Sequence, residues 1–244
     1  MKISVITVCL NSEKTIEKTI NSVMEQKYKN IEYIVIDGNS IDNTKYIISK
    51  YKKFINKFIS EKDTGIYNAI NKGINHATGD LISILHSDDC YYNKDTLKDV
   101  VKTFDKDKSI KCLIGTTIIK RRDNKIIRKY SPLGFKPWML FLGISPPHPS
   151  MFLKKDVYKK YGKYKEHYKI AGDFEFYLRI LRKKEINYKI INDSFVVMQD
   201  GGVSTRSLKS NFVSSKEILN SFDENGIYNN WFIILLRFPY KIMQ

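Results

Sequence analysis

The sequence predicts an α/β fold with a Rossmann-like, mostly parallel central sheet and helices on both faces, and three observations lead there. First, short β-branched runs alternate with amphipathic stretches over residues 1–105. Second, the apolar run Leu81-Ile82-Ser83-Ile84-Leu85 stops at His86-Ser87-Asp88-Asp89. A strand covered on both faces shows continuous hydrophobicity rather than alternation, so this run reads as a buried central strand. Third, the character changes after residue 105, where a hairpin signal and a proline-rich stretch replace the alternating rhythm.

The elements follow in order. Lys2–Cys9 is rich in β-branched residues and reads as the first strand. Asn11 or Ser12 is placed to cap the next helix, with Glu13 in the first turn where the macrodipole favours an anion. Ile16, Ile20, Val23 and Met24 recur there at helical spacing. Ile31–Ile36 is a second strand, running into the turn-former-rich loop Asp37-Gly38-Asn39-Ser40-Ile41-Asp42-Asn43-Thr44. A helix through Tyr46, Ile47 and Tyr51 and a short strand at Phe58–Ser60 come next. Thr64 or Asp63 is placed to cap a helix carrying Ile66, Ala69, Ile70 and Ile74 inward, which leads into the central strand. Strands and helices in this rhythm imply right-handed parallel crossovers.

After Asp89 an amphipathic helix starts near Thr96, with Leu97, Val100, Val101 and Phe104 in register. Lys111–Lys120 and Lys125–Tyr130 read as a hairpin across Asp123-Asn124. Pro146-Pro147-His148-Pro149-Ser150 must be a rigid loop, because proline fixes φ and restricts the residue before it. Helices are expected at Lys155–Tyr161, from Ala171, over Leu208–Phe222 and over Trp231–Tyr240. Short strands are expected at Tyr188–Ile191 and Phe195–Met198, and a loop at Gly201-Gly202-Val203-Ser204. The resulting division is one domain, 1–205, with halves 1–105 and 106–205, followed by a C-terminal helical extension, 206–244.

At 244 residues and 42% hydrophobic content, the chain can build one substantial core. Forty-two Lys+Arg against 26 Asp+Glu give a net charge of +16, which favours an anionic partner. The charge is scattered in pairs, and no aromatic-basic recognition motif appears, which speaks against nucleic acid. Cys9, Cys90 and Cys112 are odd in number and widely spaced, so they imply a reducing compartment without a disulfide framework. The start has no signal-peptide layout, and no apolar run approaches the ~18 residues of a spanning helix. A cytoplasmic protein is expected.

The two carboxylates at the end of the central strand occupy the position where open α/β sheets hold ligands. Adjacent Asp side chains repel, and burial raises the cost of ionising them. A divalent cation shared with substrate phosphates relieves that cost.

Four stretches together resemble family-2 nucleotide-sugar glycosyltransferases of the GT-A fold. They are Val5-Ile6-Thr7-Val8-Cys9-Leu10-Asn11; Asp37-Gly38-Asn39-Ser40-Ile41-Asp42-Asn43-Thr44; the strand ending in Ser87-Asp88-Asp89; and Gly172-Asp173 followed by Leu178-Arg179. Their order and spacing fit over roughly Lys2 to Ser204. Asp63-Thr64-Gly65-Ile66-Tyr67-Asn68-Ala69 and Gly201-Gly202-Val203-Ser204 look like a branch that decorates bacterial surface polysaccharides.

The resemblance implies a metal-dependent inverting transfer from a UDP-sugar to a glycan or polyprenyl-diphosphate-linked acceptor. It gives Mn²⁺ or Mg²⁺ to Asp88 and Asp89, the nucleotide base to Asp37, Thr7 and Cys9, and the general-base role to Asp173, with Glu175 as fallback. Asn11, Asp63, Ser87 and His148 are the further donor-site candidates. The commoner metal motif is Asp-x-Asp-Asp, and here His86 stands in its first place. Asp173 and Asp63 each have an alternative reading as a helix cap, and His148 as a packed loop histidine. Trp231 to Lys241 is short, apolar and aromatic with basic residues at its end; it reads as a membrane-interface helix or as a helix packed on the domain or in a homodimer contact. Two rivals remain open at this stage. One is a phosphotransferase with paired aspartates, although Cys9-Leu10-Asn11 stands where its nucleophilic Asp belongs. The other is a non-catalytic nucleotide- or polyanion-binding protein.

Overall fold

A computed structural model describes residues 1–121, 123–182, 186–200 and 208–237. In chain order the first elements are β1 (Ile3–Cys9), α1 (Ile16–Met24), β2 (Ile31–Asp37), α2 (Thr44–Lys50), β3 (Lys57–Ser60), α3 (Ile66–His76) and β4 (Leu81–Ile84). There follow β5 (Cys90–Tyr91), α4 (Thr96–Lys106), β6 (Cys112–Lys120), β7 (Ile126–Tyr130), β8 (Met151–Lys154), α5 (Lys155–Tyr161), α6 (Gly172–Leu181), β9 (Tyr188–Gln199), α7 (Leu208–Glu224) and α8 (Trp231–Leu235).

Among the described residues nine strands form one sheet in the order β3-β2-β1-β4-β8-β6-β9-β5, with β7 hairpinned onto β6. The four N-terminal strands are mutually parallel, as their rhythm predicts. Their register sets Cys9 opposite Asp37 and Asp37 opposite Ser60, so β1, β2 and β3 end level, whereas Ile84 at the end of β4 lies opposite Ile6, three residues earlier. Beyond β4 the sheet is mixed: β8 is antiparallel to both β4 and β6, whereas β9 is parallel to β6.

Alternation along the strands feeds two apolar layers. Ile3, Val5, Tyr33 and Val35 pack against α1, α2 and α4 through Ile16, Ile20, Ile48, Leu97 and Phe104. Ile6, Val8, Ile34 and Ile36 face Ile70 and Ile74 of α3 and Phe174, Tyr177 and Leu178 of α6. Full burial of such side chains stabilises by roughly 1.5–3 kcal/mol each, so these layers hold the sheet. The segment expected as an extension shares this second layer: Ile218 and Phe222 of α7 and Ile234 of α8 are buried there. Phe222 meets Phe174 edge-on at 5.7 Å between ring centroids.

Several local expectations are corrected. Neither Asn11 nor Ser12 caps α1 with its side chain. Asn11 adopts φ 49°, and its Oδ1 accepts from the Ile41 amide at 3.0 Å, tying the β1 loop to the β2 loop instead. Gly65, not Thr64 or Asp63, precedes α3, and Asp63 pairs with Lys72 in the second turn of the helix at 2.7 Å. β5 and β8 were not expected; each is four residues or fewer, and pairing with β9 and with β4 and β6 defines them more than composition does. β9 is a single strand, with register shifts opposite β6 at the junction of the two short strands expected. The loop expected at Gly201-Ser204 and the helix continuation to Tyr240 lie outside the described residues.

Candidate active site

The carboxyl ends of β1, β2 and β4 bring three loops together. The Gly38 amide donates to the Cys9 carbonyl at 2.9 Å and the Leu85 amide to the Ile6 carbonyl at 2.9 Å. Ser12 and Ser87 hydroxyls meet at 2.8 Å, joining the β1 and β4 loops. The Asn11 backbone N–H donates to Ser40 Oγ at 2.8 Å.

Asp37 is fully buried at the centre of this junction. Its Oδ2 accepts from the Ser40 amide at 3.1 Å and from Ser60 Oγ at 2.6 Å, and its Oδ1 from Ser40 Oγ. The Cys9 thiol lies 3.7 Å from Oδ1, and burial, then the Asp37 charge, push that thiol's pKa far up. Cys9 is therefore a neutral thiol. The Asp37 carboxylate is satisfied internally, so accepting a bond from a bound base requires one donor, such as Ser60 Oγ, to turn away. Thr7 departs from expectation. It is fully buried, and its Oγ1 accepts from Tyr33 OH at 3.2 Å, so it braces β1 against β2 beneath the surface and lines no cleft.

The residue that sequence reasoning passed over is Leu10, 59% exposed at the very end of β1. A Cβ built on Gly38 would lie 3.1 Å from Asp63 Oδ2 and 3.4 Å from Leu10 Cδ1. Leu10, Gly38 and Asp63 are thus one shallow surface, with Lys72 balancing the Asp63 charge from α3. An apolar residue left open at a strand's carboxyl end was the available signal.

Just past the end of β4, Asp88 is half-buried and Asp89 buried, and neither Asp89 carboxylate oxygen has a hydrogen-bond partner. Burial, then the Asp88 charge, hold Asp89 well above the usual carboxylate range, with the His86 backbone opposing weakly. Such an orphaned carboxylate suits a hard divalent cation that takes one or two protein carboxylates and finishes its shell with phosphate and water oxygens. The residues therefore fit Mg²⁺ or Mn²⁺ held jointly with a diphosphate. They do not form an all-protein cage: among the described residues no group of three acidic, His or Cys side chains converges.

A buried wall of rings connects this end to α6. His86 lies 6.4 Å from His148 between ring centroids, and His148 Nε2 lies 2.7 Å from Tyr164 OH. Burial, then neighbouring His86, bring the His148 pKa down to about 3, so His148 is neutral near pH 7. Burial also lowers His86, against the pull of Asp88. Tyr164 stacks on Tyr67 of α3 at 5.7 Å, and burial above all, with the Asp173 charge among the smaller causes, raises the pKa of Tyr67, Tyr164 and Tyr177.

Asp173, half-buried in the first turn of α6, accepts from its own neighbour's amide, Phe174 N, at 2.8 Å. Its backbone N–H donates to Tyr67 OH at 3.2 Å, and that hydroxyl donates in turn to the Ile170 carbonyl at 2.7 Å. Gly172 makes the approach possible, because a Cβ there would sit 2.7 Å from the Tyr67 ring. Gly172→Ala is expected to destabilise the fold by about 1–3 kcal/mol through overpacking, read as a lower Tm in thermal unfolding. Glu175, the fallback base, is fully buried and ion-paired to Arg179 at 2.8 Å and Lys165 at 3.2 Å, which fits a structural role.

The model of Glycosyl transferase family 2 matches residues 4–188. Uncharacterized glycosyltransferase Rv1514c of Mycobacterium tuberculosis is 32% identical over 178 residues, covering 72% of this chain and 68% of that protein. The crystal structure of Staphylococcus aureus TarS 1-349 in complex with UDP-GlcNAc superposes with a TM-score of 0.71 at 22% identity, over 91% of this chain and 66% of that one. Mannosyltransferase PcManGT from Pyrobaculum calidifontis, in complex with GDP-Man and Mn²⁺, gives a TM-score of 0.67 at 17% identity, over 92% of this chain and 64% of that one. This chain therefore spans about two thirds of each solved chain, and these two likenesses concern the fold. With parallel strands whose carboxyl ends carry three joined polar loops, and a family match over most of its length, the chain belongs to glycosyl transferase family 2 and has the GT-A fold.

Proposed function

We propose that the protein is an inverting, cation-dependent glycosyltransferase that moves a sugar from a UDP-sugar to a glycan or polyprenyl-diphosphate-linked acceptor in bacterial surface-polysaccharide synthesis. The observation that carries this reading is the placement of Asp37, Asp88 and Asp89 at or just past the carboxyl ends of β2 and β4, which flank β1, with Asp89 buried and unsatisfied. UDP is favoured because a structural neighbour is described with UDP-GlcNAc.

In this reading Asp88 and Asp89 would hold Mn²⁺ or Mg²⁺, which would supply Lewis-acid neutralisation of charge on the departing diphosphate. Leu10, Gly38 and Asp63 form the donor's outer surface, and Asp37 with Cys9 its floor. Asn11 and Ser87 hold the surrounding loops in register. The acceptor hydroxyl oxygen attacks the anomeric carbon while the bond from that carbon to the phosphate oxygen breaks. The hydroxyl proton passes to the Asp173 carboxylate, which must lie within hydrogen-bond reach of it. The neutral His148–Tyr164 pair walls the space between diphosphate and acceptor without adding charge. The reading is tested by incubating the protein with UDP-GlcNAc and Mn²⁺ and following anomeric protons by NMR. The α-linked donor should yield β product first. An α product would overturn inversion, and no turnover of any UDP-, GDP- or dTDP-sugar would overturn transfer.

The same reading puts the protein in the cytoplasm, touching the inner face of the cytoplasmic membrane through α8. Ile234 turns inward, while Phe232, Leu235 and Leu236 are 75%, 50% and 47% exposed. No described helix is long and apolar enough to cross a membrane. An interfacial helix binds through buried apolar area plus attraction of basic residues to anionic lipid. Phe232→Ser with Leu236→Ser should lower co-sedimentation with phosphatidylglycerol vesicles about tenfold; an unchanged bound fraction would remove the membrane contact.

A further inference from the structure

We infer that Glu217, on α7 and beyond the residues matched by the family model, is a positioning residue for the base on α6. The inference rests on the reading of Asp173 as that base. Glu217 Oε1 accepts from the Lys169 amide at 2.8 Å, and Oε2 accepts from the amides of Ile170 and Ala171 at 2.9 and 2.8 Å. These three consecutive N–H groups run directly into α6, which begins at Gly172. Tyr67 OH grips the same turn from α3, through the Ile170 carbonyl and the Asp173 amide. The backbone that carries Asp173 is thus clamped between two elements that lie far from it in sequence.

The chemistry of the clamp is specific to a carboxylate. All three partners are donors, and only an ionised carboxyl offers two acceptor oxygens with lone pairs for three charge-assisted bonds. A negative charge just before a helix also suits the positive end of its macrodipole. Glutamine at this position would keep one acceptor and turn a donor towards donors. α7 itself is anchored independently of Glu217: Ile218 and Phe222 are buried, Glu224 pairs with Lys165 at 2.6 Å, and Asn225 donates to Glu175 at 3.3 Å. Removing the Glu217 charge should therefore loosen the turn without releasing the helix.

Glu217 bonds to the backbone that precedes α6 and touches neither donor nor reacting atoms in this scheme. Its loss should act on the placement of Asp173, and misplacement of a catalytic group by about 1 Å can cost on the order of 100-fold. The test compares Glu217→Gln with wild type, Asp173→Asn and Glu224→Gln. Two readouts are used: amide hydrogen exchange at residues 169–171, and kcat and KM for UDP-GlcNAc turnover with Mn²⁺. Glu217→Gln should exchange these amides faster and lose kcat by about 10- to 100-fold, with KM for UDP-GlcNAc within about twofold of wild type. Glu224→Gln, which alters the same helix interface but not these amides, should change neither. Retained protection at 169–171, or faster exchange with an undiminished kcat, would overturn the inference. If Asp173→Asn keeps its turnover, the base assignment falls and takes this inference with it. If Asp173→Asn is inactive and Glu217→Gln fully active, the Glu217 inference alone falls.

Discussion

Asp173→Asn is expected to abolish sugar transfer while leaving donor binding in place. Asparagine matches the shape of aspartate, and its side-chain oxygen can still accept from Phe174 N, so the start of α6 should survive. What it lacks is the capacity to take a proton. General-base catalysis by a positioned carboxylate contributes about 10²–10⁴-fold, and a loss of kcat in that range is the expected result. In the proposed scheme the donor is held at the ends of β1, β2 and β4, not on α6, so KM for UDP-GlcNAc should change little. A steady-state comparison with wild type checks both numbers. A variant with near-normal kcat would remove Asp173 from the mechanism.

Asp88→Ala is expected to act on the other half of the reaction. Two adjacent carboxylates, one of them buried without a partner, have a high cost of ionisation that a shared cation relieves. Removing Asp88 takes away the more accessible ligand and the charge that raises Asp89. Mn²⁺-dependent affinity for UDP should fall about 100-fold or more, consistent with the several kcal/mol that a Lewis-acid cation contributes to phosphate charge. Binding measured without metal should be unchanged, and thermal stability should hold or rise because like-charge repulsion is relieved. Equal UDP affinities for variant and wild type in Mn²⁺ would show that the cation is held elsewhere.

The N-terminal half of the fold was readable because its signals are local. Leu81–Leu85 announces a doubly covered strand by continuous hydrophobicity, and α1, α3 and α4 carry their buried positions at helical spacing. Parallel pairing then brings Asp37, Asp88 and the β1 loop to one edge without further information. The second half was harder because its strands are set by partners. Met151–Lys154 follows a proline loop and precedes a helix, and only the grooves offered by β4 and β6 make it a strand.

In the site, the type of residue was legible and its depth was not. Thr7 and Cys9 share a face of β1, but Tyr33 covers Thr7 from β2, a contact across 26 residues. Asp37 reads as a ligand group, yet Ser40 and Ser60 fill its oxygens. Tyr67 and Glu217 left no local trace, since both hold the α6 turn from more than forty residues away. Leu10 carried a weak trace, an apolar side chain at a strand end that the structure leaves open.

The measurement that bears most directly on the whole account is calorimetric titration of UDP into the full chain, with and without Mn²⁺. The account predicts saturable binding to one site that strengthens markedly when Mn²⁺ is present. Binding of UDP that is indifferent to metal would contradict the role given to Asp88 and Asp89. No binding of UDP, GDP or dTDP under either condition would contradict the nucleotide-sugar reading itself.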